Sequence, residues 1–198
     1  QSIQRKMKKI LIIITIFFST ISTICAEEIK RIIVGDKDAK ITIIAYESLT
    51  CSHCANFHKD VYPELKKNYL DTGLAKIEFR HFPLDIAAFN ASKVSQCNND
   101  GDSKILNSLF ANQQKWVKGS SIQEANENLK KFLVSEGYNV DFEKCINDKE
   151  IEDFVLNDRI DAVKKFKISS TPTIIINDKK FEKSLNYKNL KKALEKLI

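Results

Sequence analysis

Ile41-Thr42-Ile43-Ile44-Ala45-Tyr46, followed after four residues by Cys51-Ser52-His53-Cys54, is the stretch from which the fold can be read. The first six residues are β-branched or aromatic apart from Ala45, as expected of a buried strand. Beyond Cys54, Phe57, Val61, Leu65 and Tyr69 recur at helical spacing, so a helix begins at the cysteine pair. A C-x-x-C pair at a helix N-terminus has a defined chemistry. The unpaired N–H groups and the positive end of the helix dipole stabilise a thiolate on the first cysteine. The two-residue spacer lets the second cysteine close a disulfide with the first. The same spacing also suits a structural disulfide or half of a zinc site. The strand before it and the helix after it favour redox chemistry.

Downstream, Pro63 falls inside the helical pattern and is expected to kink it, and Asp71-Thr72-Gly73 ends it. Ala75 to Phe82 alternates apolar and polar residues and reads as a second strand, so strand, helix and strand make a parallel βαβ unit. From about Asp85 to Lys167 the pattern is helical throughout, with segments near 86–98, 104–114, 122–135, 142–147 and 150–166. After Ser169-Ser170-Thr171-Pro172 the chain returns to a strand over Thr173–Ile176. Asn177-Asp178 is a hairpin turn to a partner over Lys179–Lys183, and a last helix covers Asn189–Ile198. Upstream, Ile32-Ile33-Val34 is a candidate edge strand and Gly35-Asp36-Lys37-Asp38 a turn. Trp116 reads as a core or rim aromatic.

The N-terminus has the pattern of a secretory leader. Met7-Lys8-Lys9 precedes the apolar run Ile10–Phe18 and a small polar region ending at Ala26. Translation is expected to begin at Met7, with residues 1–6 upstream of the start and cleavage near Ala26. An uncleaved anchor is the rival, although a bilayer span wants about 20 apolar residues and this run is shorter. The leader explains much of the charge. The whole chain has 32 basic and 26 acidic residues; Arg5, Lys6, Lys8 and Lys9 leave with the leader, for a net charge of +2. Nothing in that balance calls for nucleic acid or a membrane surface as partner. Residues 27–198 then form one domain.

Export implies an oxidising compartment, and loss of Cys25 leaves Cys51, Cys54, Cys97 and Cys145. With Cys51–Cys54 as one pair, Cys97 and Cys145 are the arithmetic remainder, either a structural disulfide or two separate buried thiols.

Three separated pieces together resemble the DsbA-like disulfide oxidoreductases of the thioredoxin superfamily. They are Cys51-Ser52-His53-Cys54 with Ala55, Phe57 and His58; Arg80-His81-Phe82-Pro83-Leu84; and Thr171-Pro172-Thr173. The resemblance runs from about Gly35 to the C-terminus. It implies an α/β thioredoxin fold interrupted by a helical insertion over about 85–167. It also implies Cys51 as exposed nucleophile, Cys54 as buried resolving thiol and His53 as the residue that tunes them. Thr171-Pro172 becomes a cis-proline loop facing the pair, with an edge for an extended substrate.

Two positions depart from the family pattern. Ser52 stands where Pro is common, and Ala45 stands six residues before Cys51, where relatives often bury an acid. Glu47 shares the side of the strand with Ala45 and offers a partial replacement as proton acceptor. His58 and His81 read as surface or rim residues without a catalytic role. The implied activity is that of a periplasmic thiol oxidase that gives its Cys51–Cys54 disulfide to reduced exported proteins. It would act as a monomer without cofactor, reoxidised by a quinone-linked membrane partner. The alternatives are an isomerase or reductase of the same fold, which Thr171 before the proline would suit, and a metal-binding module using Cys51, Cys54 and His53 or His58.

Overall fold

The structure, a computed structural model, describes residues 28–198. The expectations for a start at Met7, loss of Cys25 and cleavage near Ala26 lie outside the described residues. Five strands form one mixed sheet: β1 (Ile33–Gly35), β2 (Ile41–Glu47), β3 (Ala75–His81), β4 (Thr173–Ile176) and β5 (Lys179–Lys180), in the order β1-β3-β2-β4-β5. The β2–β3 pair is parallel and the other neighbours are antiparallel. This is an α/β thioredoxin-like sheet with β2, the strand that leads to the cysteines, at its centre. Ile43, Ala45 and Tyr46 of that strand are fully buried, as a near-continuous apolar strand covered on both faces should be.

The helix after the cysteines is segmented. α1 (Ser52–Asp60) stops at Val61, α2 (Tyr62–Leu65) restarts with Pro63 in its first turn, and a π-helical turn continues over Lys66–Leu70. Proline sits at a new helix start because its missing N–H is not needed there. Phe57, Val61, Leu65 and Tyr69 still point inward across the break. Gly35 closes β1 with φ at +104°, and a side chain there would meet the Ala75 carbonyl at 2.5 Å, so only glycine fits this approach.

Between β3 and β4 lie α3 (Ile86–Gln96), α4 (Lys104–Ala111), α5 (Gln113–Trp116), α6 (Ile122–Ser135), α7 (Phe142–Asn147) and α8 (Lys149–Phe166). Side-chain caps explain several starts: Asp85 accepts from Ala88 N, Ser121 from Glu124 N, and Asp148 from Glu150 N and Ile151 N. Trp116 is a core residue whose Nε1 donates to Leu109 O at 2.9 Å. Cys97 and Cys145 are bonded, with Cα atoms 5.4 Å apart, and tie the end of α3 to α7. The hairpin turn is at Asn177-Asp178, both in left-handed conformation. Its returning strand is only two residues long, because the chain then leaves for α9 (Tyr187–Leu194).

His81 is a correction to the sequence reading, because it is 2 % exposed rather than on the rim. It ends β3 against α8, where its N–H donates to Asp158 Oδ2 and its ring pairs with Gln96 Nε2 at 3.0 Å. Asp158 is held in turn by Arg31 at 2.8 Å. Burial, reinforced by the Arg31 charge and opposed by Asp158, pushes the His81 pKa down to about 4. The unfolded value is about 6.5, so between these limits the unfolded chain binds the extra proton. The stability from neutral His81 is complete above about pH 6.5 and is lost as pH falls toward 4, on the order of 3 kcal/mol in all. Urea titrations across this window should show that loss, and His81→Asn should flatten it.

Candidate active site

Cys51 is the N-cap of α1, with extended backbone angles and no side-chain cap of its own; its carbonyl accepts from Cys54 N at 3.1 Å and Ala55 N at 3.2 Å. The loop before it is held from two sides. Thr50 Oγ1 donates to Asp85 Oδ2 at 2.7 Å, and Gln113 Nε2 donates to Leu49 O at 2.7 Å and Cys51 O at 3.0 Å. Both partners belong to the helical insertion, so the insertion fixes the loop that presents the sulfur.

Helical geometry separates the two thiols. Cys51 is half-buried at the surface, whereas Cys54, one turn in, faces the core and has no exposure. Both are free thiols. The Cys51 thiol is pushed down to about 5, chiefly by a hydrogen bond from Cys54, against the cost of its own partial burial. Thr171 and the backbone N–H groups of Cys54 and His53 lower it further. When protonated, Cys51 Sγ donates to Thr171 O at 3.4 Å. The buried Thr171 Oγ1 has no other partner and is free to donate to the thiolate. Burial drives the Cys54 thiol far upward, and the Cys51 and Glu47 charges add to it. One sulfur is ionised at neutral pH and the other holds its proton.

Thr171-Pro172 is cis, and this loop faces the pair. Beside it a cleft of about 480 Å³ is walled by His53, Asn56, Phe57, Thr171, Pro172 and Leu185. The structure therefore brings Cys51, Cys54, Thr171 and Pro172 together. The His53 side chain is exposed on the rim, and its backbone amide is among the groups that lower the Cys51 value. Cys97 and Cys145 lie apart, in the insertion.

His58 is the second histidine to correct. Its side chain is 6 % exposed and its Nε2 lies 2.9 Å from Oε2 of Glu47, itself 4 % exposed. The ring stacks on Phe110 at 4.1 Å. Burial raises the Glu47 pKa, and the His58 contact opposes that rise. Sequence reasoning flagged Glu47 but missed Gln113 and His58. For His58 a signal existed, since it lies one residue after Phe57 and four after Cys54, on the inward side of α1.

A thiolate at a helix start, a buried second thiol and an opposing cis-proline on a mixed sheet define the thioredoxin class. The thioredoxin family model matches residues 27–196, and the chain belongs to that family. Within the family it is DsbA-like. The crystal structure of Wolbachia pipientis alpha-DsbA1 superposes with a TM-score of 0.74 at 31% identity, over 84% of this chain and 90% of that one. Disulfide bond formation protein D of Bacillus subtilis is 26% identical over 176 residues, 83% of this chain and 75% of its own length. A Rickettsia bellii protein described as a protein-disulfide oxidoreductase is 28% identical over 170 residues, 84% of this chain and 64% of its own length. The chain thus spans less than two thirds of that relative.

Ultraviolet titration of the reduced protein should reveal one thiolate forming near pH 5, and none from Cys54 up to about pH 10. Thr171→Val, which removes the hydroxyl donor, should raise the Cys51 value by about one unit, the worth of one charge-assisted hydrogen bond. His53→Ala keeps the amide and should move it less. The reverse ranking would return the tuning role to the imidazole.

Proposed function

We propose that this chain is a thiol:disulfide oxidoreductase that donates its Cys51–Cys54 disulfide to reduced proteins in the compartment to which it is exported. The observation that carries the reading is the opposed pair of thiols, Cys51 held down to about 5 and Cys54 held far up. A substrate thiolate attacks the accessible Cys51 sulfur, the Cys51–Cys54 bond breaks, and Cys54 leaves with the electron pair and takes up a proton. A second substrate thiolate then attacks the substrate sulfur of the mixed disulfide and expels Cys51 as a stable thiolate. The substrate is oxidised by two electrons and the enzyme is reduced by two.

Stabilising the Cys51 thiolate stabilises the reduced enzyme and so makes its disulfide oxidising. The cleft beside Thr171-Pro172 accommodates an extended peptide next to the sulfur. Export to the periplasm is supported by the leader-like N-terminal pattern and by the Cys97–Cys145 bond, which suits an oxidising compartment. Among the described residues no helix is long and apolar enough to cross a membrane. Reoxidation falls to a quinone-linked membrane partner, and His53 sits where it would meet either partner.

Cys54→Ser should accumulate mixed disulfides with exported proteins through Cys51, visible as thiol-sensitive adducts on non-reducing gels, whereas Cys51→Ser should form few. Adducts made through Cys54 would reverse the assignment. Equilibration with glutathione sets the direction: a potential above that of the glutathione pool fits an oxidase, and one near thioredoxin's, about −270 mV, would make the chain a reductase.

A further inference from the structure

The nucleophile's loop and the helical insertion are joined through one side chain, Gln113. It opens α5, a single turn set apart from α4 by the break at Asn112, whose φ of −123° and ψ of 27° leave the helical region. Trp116 anchors that turn in the core, with its Nε1 donating to Leu109 O. Gln113 lies three residues before Trp116, on the same side of the turn. Its Nε2 donates both protons to the active-site loop, one to Leu49 O at 2.7 Å and one to Cys51 O at 3.0 Å. Two carbonyls can be served only by the NH2 end of an amide, so the partners themselves fix which way the side chain faces.

We propose that Gln113 is a positioning residue for thiol exchange: its amide, spanning Leu49 O and Cys51 O, holds the Cys51 sulfur in line with the first-turn amides of α1 and so sets its reactivity. The proposal rests on the thiol-exchange reading above and adds what keeps the nucleophile in its reactive orientation. Cys51 O also accepts from Cys54 N and Ala55 N at 3.1 and 3.2 Å. Those two bonds tie the carbonyl to α1, and Gln113 ties it to the insertion. The carbonyl shares one planar peptide with the Ser52 N–H. A rotation about the Cys51 ψ, which is 118°, would therefore turn the whole first turn of α1 relative to Sγ. The second bond holds the other end of the loop, where Cys51 N donates to Ser48 O at 3.0 Å and closes the turn over residues 48–51.

Burial makes this contact hard to replace. Leu49 is 1 % exposed, so a carbonyl that loses the Gln113 donor does not simply turn to water, and the loop has to move to find another partner. Any such movement carries Cys51 with it and away from Thr171 O, to which its thiol donates at 3.4 Å. A glutamine suits the task because both protons sit on one neutral nitrogen. Asparagine is one carbon too short to span the two carbonyls, and methionine has the length without the donors. The next residue, Gln114, is exposed and faces a different cleft, walled in part by Lys59 and Asn107. It therefore serves as the matched control.

The test uses the reduced full chain and follows thiolate ultraviolet absorbance against pH, together with the glutathione equilibrium of the Cys51–Cys54 pair. Gln113→Met should make Cys51 about a tenfold weaker acid, the effect of one misplaced hydrogen bond to a charged group. The glutathione equilibrium should move about tenfold toward the enzyme disulfide, because a less stabilised thiolate makes a less oxidising protein. Gln113→Asn keeps a donor that reaches only one carbonyl and should show part of both changes, about threefold. It reads the same effect if the methionine variant does not fold. Gln114→Met should match the parent in both measurements. Acidity and equilibrium at the parent's values in the folded Gln113 variants, with only urea stability reduced, would overturn the proposal and leave Gln113 a structural residue. An equal shift in Gln114→Met would overturn it as well, since the effect would then belong to any disturbance of α5. The thiol-exchange reading fails separately, when Cys54→Ser traps no adducts, and that result leaves the ranking of thiol acidities intact.

Discussion

Everything chemical in this structure depends on placing two sulfurs one helical turn apart across the boundary between solvent and core. Cys54 has no exposed surface, and an isolated charge there would lack both water and a counter-ion. It therefore holds its proton and donates to Cys51, which sits half-exposed among backbone amides at the start of α1. The asymmetry is a property of the helix start and the central strand, because β2 ends at the loop that carries Cys51 and α1 turns the second cysteine into the core.

The helical insertion is more than a cover for the sheet. Gln113 ties the carbonyls of Leu49 and Cys51, and Asp85 both caps α3 and receives the Thr50 hydroxyl. A loop with unpaired carbonyls would be free to move the nucleophile, so these bonds set its position relative to Thr171-Pro172. The insertion is in turn closed on itself by Cys97–Cys145, with 48 residues of separation, and by Lys93, a buried amine that donates to Ile146 O and pairs with Glu152 at 3.5 Å. In the chain-entropy view such a crosslink is worth up to roughly 4 kcal/mol. Rigidity at the active-site loop is thus borrowed from an element far along the chain.

Burying Glu47 and His58 beside the thiols carries a desolvation cost that an apolar pair would avoid. Relatives often keep an acid six residues before the first cysteine, where this chain has Ala45. Here a carboxyl enters from two residues later, on Glu47, and is held by His58 of α1 at 2.9 Å.

The local patterns were enough to lay out the α/β elements in order, and the resemblance to DsbA-like proteins supplied the thioredoxin arrangement. The apolar run at Ile41–Tyr46, the helical spacing after Cys54, the alternation over Ala75–Phe82 and the Thr171-Pro172 punctuation are all short-range signals, and they specify strand, helix, strand and loop in order. They also fixed which cysteine leads the helix. What they left open were contacts between residues distant in sequence. Whether His58 and His81 faced solvent depended on α4 and α8 packing over them; His81 is core, and the His58 side chain is mostly covered. Gln113 carries no motif at all, and its role exists only because the insertion folds back over a loop more than sixty residues earlier. Periodicity encodes how a segment meets its nearest layer; the pairing of buried polar atoms is decided by whichever segments arrive last.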